Sequence, residues 1–294
     1  PGSPAADAAA DVAAGAHPPD TSPASSAVTL EATEIYKTAS GRQLALFIDK
    51  PAGWQPGDRR PAVVFFFGGG WKSGNPRQFK PQAAHLARRG MVCLRADYRV
   101  RNRDNVLPTQ CVEDAISAMR HVRARAAALG IDPARIAAAG GSAGGHLAAC
   151  TALVTDLNAA GDDTGVSPRP DALILYNPAV DLAPFPGAND RQFIQGLDDA
   201  ARARISPLLL ANKTLPPTLL IDGTADFLYK QIRAFEEKLA ALGVPVEARY
   251  VKDQPHGFFN RSPHLEQTTA MADAFLTRLG WLPAQNQPQD RKPE

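Results

Sequence analysis

The chain has 294 residues, 44% of them hydrophobic, with 32 basic and 30 acidic residues and a formal net charge of +2. That balance, with no cluster of Lys and Arg, excludes the electrostatic footprint of a nucleic-acid binder and implies no polyanionic substrate. No run of about 18 or more apolar residues occurs, so no membrane span is expected.

Residues 1–27 hold ten alanines and five prolines with Ser and Asp, a composition that reads as a leader or linker rather than core. The chain begins Pro1-Gly2-Ser3 without Met, so a processed or an engineered end is open. An Ala/Pro leader favours export, and a secreted or periplasmic protein is expected, with a cytoplasmic place left open. From residue 28 the pattern becomes regular. Val28–Tyr36 and Arg42–Asp49 read as antiparallel strands about Thr38-Ala39-Ser40-Gly41. Pro61–Phe67 is a continuous apolar run, the signature of a parallel strand buried on both faces. Phe79–Arg89 reads as a helix stopped by Gly90, and Met91–Tyr98 as the next strand. Pro108–Leu129 reads as a long helix with Ala115, Met119 and Val122 on its apolar side, ended by Gly130. A short apolar run to Ala139 and the apolar stretch Gly145–Val154 give a strand and a buried helix around a Gly-rich turn. Ala172–Tyr176, Phe227–Leu242, Val246–Val251 and His264–Leu279 follow as strand, helix, strand and helix. This alternation predicts an α/β fold with a mostly parallel twisted sheet and helices on both faces.

Between Asp181 and Leu215 the alternation breaks. Pro184-Phe185-Pro186-Gly187, Phe193, Ile194 and Leu208-Leu209-Leu210 are interspersed with polar residues. A small lid-like insertion over 181–215 is expected, too short for a separate cap domain. Residues 28–284 are then one domain, and 285–294 a polar tail. Although 294 residues could make two small domains, the motifs run through the chain in a single order. The three cysteines, Cys93, Cys111 and Cys150, lack CxxC spacing, so no metal site is expected of them. Their odd count leaves at least one thiol free and leaves a Cys93–Cys111 or Cys111–Cys150 bridge open.

The Gly-rich turn is where chemistry enters. Gly140-Gly141-Ser142-Ala143-Gly144 is Gly-x-Ser-x-Gly set between strand and helix, a sharp turn that lifts one serine hydroxyl clear of the backbone. Small residues on both sides let strand and helix pass closely. A serine nucleophile needs a base, an acid to orient the base, and donors for an oxyanion. Of six histidines, His17 lies in the leader, His85 and His121 in helical patterns, and His264 at a helix start. His146 follows the turn and reads as a packing residue. His256, in the loop Asp253-Gln254-Pro255-His256-Gly257-Phe258, is the candidate base. Asp226, in the loop after Thr218-Leu219-Leu220-Ile221, is the candidate acid, with Asp222 and Asp253 as rivals. The order Ser142…Asp226…His256 is that of the α/β hydrolases. Gly68-Gly69-Gly70-Trp71 ends the first buried strand. Its bare backbone N–H groups, with that of Ala143, could hold developing negative charge. Gly68 and Trp71 are further candidates for contact with substrate.

With these residues in place the chain resembles the α/β-hydrolase fold carboxylesterases and acetylesterases of the hormone-sensitive-lipase-like group. The resemblance runs from about Glu31 to Trp281. Its carriers are Phe66-Phe67-Gly68-Gly69-Gly70-Trp71, Asp97-Tyr98-Arg99-Val100, Gly130-Ile131-Asp132-Pro133, Gly140–His146, Leu215-Pro216-Pro217-Thr218, Gly223-Thr224-Ala225-Asp226 and His256-Gly257-Phe258. The resemblance implies ester hydrolysis through an acyl-enzyme, without metal or organic cofactor. It implies a Ser142, Asp226, His256 triad and oxyanion donors at Gly69, Gly70 and Ala143. One position departs: Phe67 stands where much of the family has His before the glycines. Rigidity of that loop is then expected from packing of Trp71 and the Phe65–Phe67 run. The expected substrate is a small-molecule or carbohydrate ester with a short acyl group. A lipase, a serine peptidase or amidase, and a non-catalytic fold relative are the other classes, and the complete set of site residues argues against the last.

Overall fold

The computed structural model describes residues 32–182 and 196–284. The expected leader (1–27), the first four residues of the expected strand Val28–Tyr36, the polar tail (285–294) and the middle of the expected insertion (183–195) lie outside the described residues. The described residues open on a hairpin, β1 (Ala32–Ala39) and β2 (Arg42–Asp49). Its two-residue turn is Ser40-Gly41, both at positive φ (53° and 74°), the geometry that matches the twist of paired strands. Among the described residues six strands follow: β3 (Arg60–Phe66), β4 (Val92–Ala96), β5 (Ile131–Gly141), β6 (Ala172–Tyr176), β7 (Thr218–Gly223) and β8 (Val246–Val251). They join the hairpin in one eight-stranded sheet of order β1-β2-β4-β3-β5-β6-β7-β8. The pair β2–β4 is antiparallel, and every pair from β4 to β8 is parallel.

Among the described residues eight α-helices accompany these strands: α1 (Lys80–Arg88), α2 (Arg101–Asp104), α3 (Pro108–Ala124), α4 (Ala143–Leu153), α5 (Asp199–Arg204), α6 (Pro207–Leu210), α7 (Tyr229–Ala241) and, after β8, α8 (His264–Arg278). Parallel strands need crossovers, and crossovers cover both faces of the sheet. On one face α1 and α8 pack Leu86, Phe275 and Leu276 against Val63, Phe65 and Ile174. On the other, α3, α4 and α7 pack Met119, Leu147 and Phe235 against Val64, Ala138 and Leu220. Helix α4 has no polar face to show, and all its residues are buried.

Several boundaries shift by one to three residues (the first strand, expected to end at Tyr36, runs to Ala39), and the largest difference is at the end of α3. The expected helix to Leu129 ends at Ala124, where the Ala126 N–H turns to the Arg123 carbonyl three residues back and the Ala126 carbonyl accepts from Ile131 at the start of β5. Gly130 (φ 65°) then turns the chain into β5 where an added Cβ would lie 2.6 Å from the Trp54 indole nitrogen. All three cysteines are buried and free, which closes the question of a bridge. Of the expected insertion, the part after residue 195 is tied down: Ile205 is fully buried, and Ser206 Oγ accepts from the Leu182 N–H. Among the described residues no helix is long and apolar enough to cross a membrane.

Candidate active site

The carboxyl ends of β3, β5, β6, β7 and β8 fall along one edge of the sheet, where open α/β folds place their reactive loops. At the end of β5, Ser142 sits at φ 54°, ψ −120°, a conformation that costs an L-residue of order 1–3 kcal/mol. The surroundings hold it there. Its N–H donates to the Tyr176 carbonyl at 2.8 Å, and its carbonyl accepts from His146 N–H at 3.0 Å. Glycine is required next door, since a Cβ on Gly144 would lie 2.0 Å from the Phe66 carbonyl oxygen.

His256 reaches this serine from the loop after β8. Its Nε2 lies 2.8 Å from Ser142 Oγ, and its Nδ1 lies 2.8 Å from Asp226 Oδ2. With Nδ1–H donated to the carboxylate, Nε2 is left as an acceptor facing the serine hydroxyl. Asp226 is in the loop between β7 and α7. Its Oδ1 accepts from Leu228 N–H at 2.8 Å, and its Oδ2 also accepts from the side-chain amide of Asn177 at 2.6 Å. The two loops are fastened together. Thr224 N–H donates to Val251, Ala225 N–H to Gln254, and Asp253 N–H to Thr224 Oγ1. Asp253, the second rival acid, therefore serves the loop's backbone, and no hydrogen bond joins it to His256 among the described residues.

Asp222, the other rival, lies under Asp226. It is fully buried at the end of β7, and the Asn177 amide donates to it as well. Burial, with the charge of Asp226 second, pushes its carboxyl up to about 8.

The glycine loop after β3 lies beside the serine. Gly69, Gly70 and Trp71 all have positive φ (124°, 62° and 58°). Gly69 admits no side chain, because a Cβ would lie 2.2 Å from the Ser73 carbonyl oxygen. Gly68 N–H is taken by Gln78 Oε1 at 2.6 Å. The N–H groups of Gly69, Gly70 and Ala143 donate to no acceptor among the described residues. Phe67 stacks on Tyr98 at 4.0 Å between centroids, and the Tyr98 hydroxyl donates to the Phe67 carbonyl at 2.6 Å. Packing and one buried hydroxyl thus steady the loop without a histidine at 67. Trp71, a candidate for contact with substrate, has its indole turned into the fold. It is 4% exposed, with its indole N–H donated inward to His146 Nδ1 at 3.2 Å. His146 in turn donates Nε2–H to the Ile205 carbonyl at 2.6 Å, and burial pulls its imidazole down to about 4.

Three residues that the sequence reading did not single out complete the site. Asn177 joins the carboxyls. Gln78 and Asn260 link the loops from two sides: Gln78 Nε2 donates to Asn260 Oδ1, and Asn260 Nδ2 donates to the carbonyl of Gly257, next to His256. None carries a motif. For Asn177 the one signal was its place directly after the strand Ala172–Tyr176, at the same sheet edge as Ser142.

Such an arrangement can deprotonate a serine hydroxyl, stabilise the resulting imidazolium, and present three N–H groups near the reacting carbon. The known proteins that the chain is similar to agree with that chemistry. The alpha/beta hydrolase fold family matches residues 63–260. A carboxylesterase of Mycobacterium tuberculosis, NlhH, is 31% identical over 230 residues, 70% of each protein. A thermophilic esterase from the planctomycete Thermogutta terrifontis, Est2, superposes with a TM-score of 0.81 at 41% identity, covering 87% of this chain and 95% of that one. The same esterase has been solved phosphorylated by paraoxon, with a TM-score of 0.81 at 42% identity over 88% of this chain and 98% of that one. The chain belongs to the α/β-hydrolase fold family and is a carboxylesterase, a serine hydrolase of carboxylic esters.

Proposed function

We propose that the protein hydrolyses short-chain, acetyl-like esters, acetylated carbohydrates among them, through an acyl-enzyme on Ser142. The observation that carries this reading is the unbroken chain Asp226–His256–Ser142, with both links at 2.8 Å across three separate loops. In the first half-reaction His256 Nε2 takes the Ser142 proton as Oγ attacks the ester carbon. The N–H groups of Gly69, Gly70 and Ala143 receive the oxyanion, and the imidazolium hands its proton to the departing alkoxide. In the second, water attacks the acyl-serine with His256 again as base. Asp226 fixes the tautomer throughout and balances the imidazolium charge.

Two observations support the substrate side. Est2 has been solved with propionate and with butyrate bound, both short acids. Phe227 is 65% exposed, and its ring centroid lies 4.6 Å from that of His256. Because His256 must protonate the leaving alkoxide, the alcohol passes beside this ring, which can stack on an aryl group or on the apolar face of a sugar.

The deciding measurement is kcat/KM across p-nitrophenyl esters from acetate to palmitate. The maximum is expected at acetyl to butyryl, with a fall beyond about eight carbons. Each further methylene gains about 0.8 kcal/mol only where it finds apolar wall to bury against. A maximum at laurate or longer would replace this reading with a lipase. Faster turnover of a p-nitroanilide than of the matching ester would replace it with an amidase.

A further inference from the structure

The acid member of the site is not a lone aspartate. Asn177 Nδ2 donates to Asp222 Oδ1 and, at 2.6 Å, to Asp226 Oδ2, so one amide nitrogen touches both carboxyls. Asp222 has no exposure at all and Asp226 is 6% exposed. Among the described residues the one ion-pair partner of either carboxyl is His256. Two ionised carboxylates in this position would repel each other in a region from which water is excluded, so they hold one negative charge between them.

The donors decide where the charge sits. Asp226 accepts from His256 Nδ1–H, Leu228 N–H and the Asn177 amide, and it precedes the positive end of α7. Asp222 accepts from the Asn177 amide, and no donor reaches its Oδ2. A buried carboxylate oxygen without a donor is costly, whereas a hydroxyl oxygen needs only an acceptor. The Asn177 nitrogen shared by the two carboxyls sets an Asp226 oxygen beside Asp222, where it can be that acceptor. We propose that Asp222 is a neutral carboxylic acid whose O–H donates to Asp226, making Asp222 a positioning residue for the catalytic acid. This rests on the triad assignment proposed above.

The other titratable groups on neighbouring elements are engaged elsewhere. On β8 the Tyr250 hydroxyl donates to Glu236 of α7, and Arg249 pairs with Glu247. On α8 Asp273 is held by His85 and Arg89. Tyr176 of β6 is buried, and burial keeps it un-ionised to well above its ordinary range. His256, bonded to Asp226, is the other titratable group in contact with the pair, and raising pH removes the Asp222 proton to solvent. A second negative charge then appears beside Asp226, and Asp226 loses a donor.

The signs follow. Between about pH 4 and pH 8 the unfolded chain has Asp222 ionised and the folded chain has it protonated. Stability from this group is therefore full below about pH 4 and is lost as pH rises through about 8. The test is kcat and KM for p-nitrophenyl acetate from about pH 6 to about pH 9.5, together with the thermal midpoint from about pH 4 to about pH 9. Wild type, Asp222→Asn and Asp222→Ala are compared. Asparagine reproduces the neutral acid, with its oxygen facing Asn177 and its NH2 facing Asp226. Asp222→Ala is expected to lower kcat about tenfold with KM changed less than about twofold, and Asp222→Asn to recover most of that loss. Wild type is expected to decline above about pH 8, and Asp222→Asn to lack that limb. The thermal midpoint of Asp222→Asn is expected to gain on wild type as pH rises from about 4 to about 8. An unchanged alkaline limb in Asp222→Asn, a pH-independent difference in midpoint, or an asparagine variant as damaged as the alanine one overturns the proposal. Should Asp222→Ala not fold, the asparagine profile and midpoints still decide it. Absence of ester turnover by wild type at every pH would sink the triad reading instead, and the midpoints would still report whether Asp222 holds its proton.

Discussion

Trp71 donates its indole N–H to Nδ1 of His146 across 3.2 Å, with the rings edge to face at 5.0 Å between centroids. This bond joins the glycine loop after β3 to the helix that follows Ser142, two segments 75 residues apart. It also requires a neutral imidazole, because a protonated Nδ1 could not accept.

Trp71→Phe should therefore loosen the loop without removing any backbone donor. The change leaves His146 Nδ1 buried and unpaired, a cost of about 1–3 kcal/mol. A fall in kcat of roughly tenfold is expected, smaller than loss of an oxyanion donor itself, with KM little changed. The same histidine gives an acid limb. The unfolded chain protonates His146 below about 6.5, whereas the folded chain resists to about 4. Its contribution is thus full above about pH 6.5 and is lost as pH falls toward 4, up to roughly 3 kcal/mol. Thermal unfolding of wild type and His146→Phe across this window checks the sign. Equal pH dependence in the two would show that His146 is not buried neutral.

Ser142→Ala should abolish ester turnover and labelling by a fluorophosphonate while the protein stays folded. Losing one member of a unit that works with its base removes on the order of 10⁶ in kcat. Ser142→Gly should be equally inactive and also more stable, because glycine relieves the strain at φ 54°. The gain is expected to be roughly 1–3 kcal/mol, less the entropy glycine adds to the unfolded chain. Thermal midpoints of the two variants separate strain from chemistry, and near-wild-type turnover by either would remove Ser142 from its role.

Local pattern carried most of the fold. The strands Arg42–Asp49, Ala172–Tyr176 and Val246–Val251 have the bounds that apolar runs and turn residues imply. Ser142 was legible because its turn needs glycine and alanine at fixed spacing, and His256 because few histidines fell in loops. Partners set by register were not legible. Asn177 faces Asp226 only because β6 and β7 pair side by side, with Tyr176 opposite Ile221. Gln78 reaches Asn260 across 182 residues, and no local signal encodes that distance. The inward turn of Trp71 depends on its positive φ of 58°, which sequence pattern does not reveal in a bulky residue.

Asp226→Asn tests which carboxyl serves His256. The amide would present either an oxygen to Nδ1–H, with a weaker dipole in place of a charge, or an NH2 that forces the proton onto Nε2. In the second case Nε2 can no longer accept from Ser142, and in the first the imidazolium loses its counter-charge. Either way kcat should fall by roughly 10⁴ with the fold kept. Asp253→Asn should cost less than about tenfold, since the structure uses Asp253 for its backbone N–H at a φ of 58°, a conformation that asparagine adopts well. Steady-state rates on p-nitrophenyl acetate for the two variants, with circular dichroism to confirm folding, give the comparison. Greater damage from Asp253→Asn than from Asp226→Asn would move the acid from the loop after β7 to the loop that carries His256.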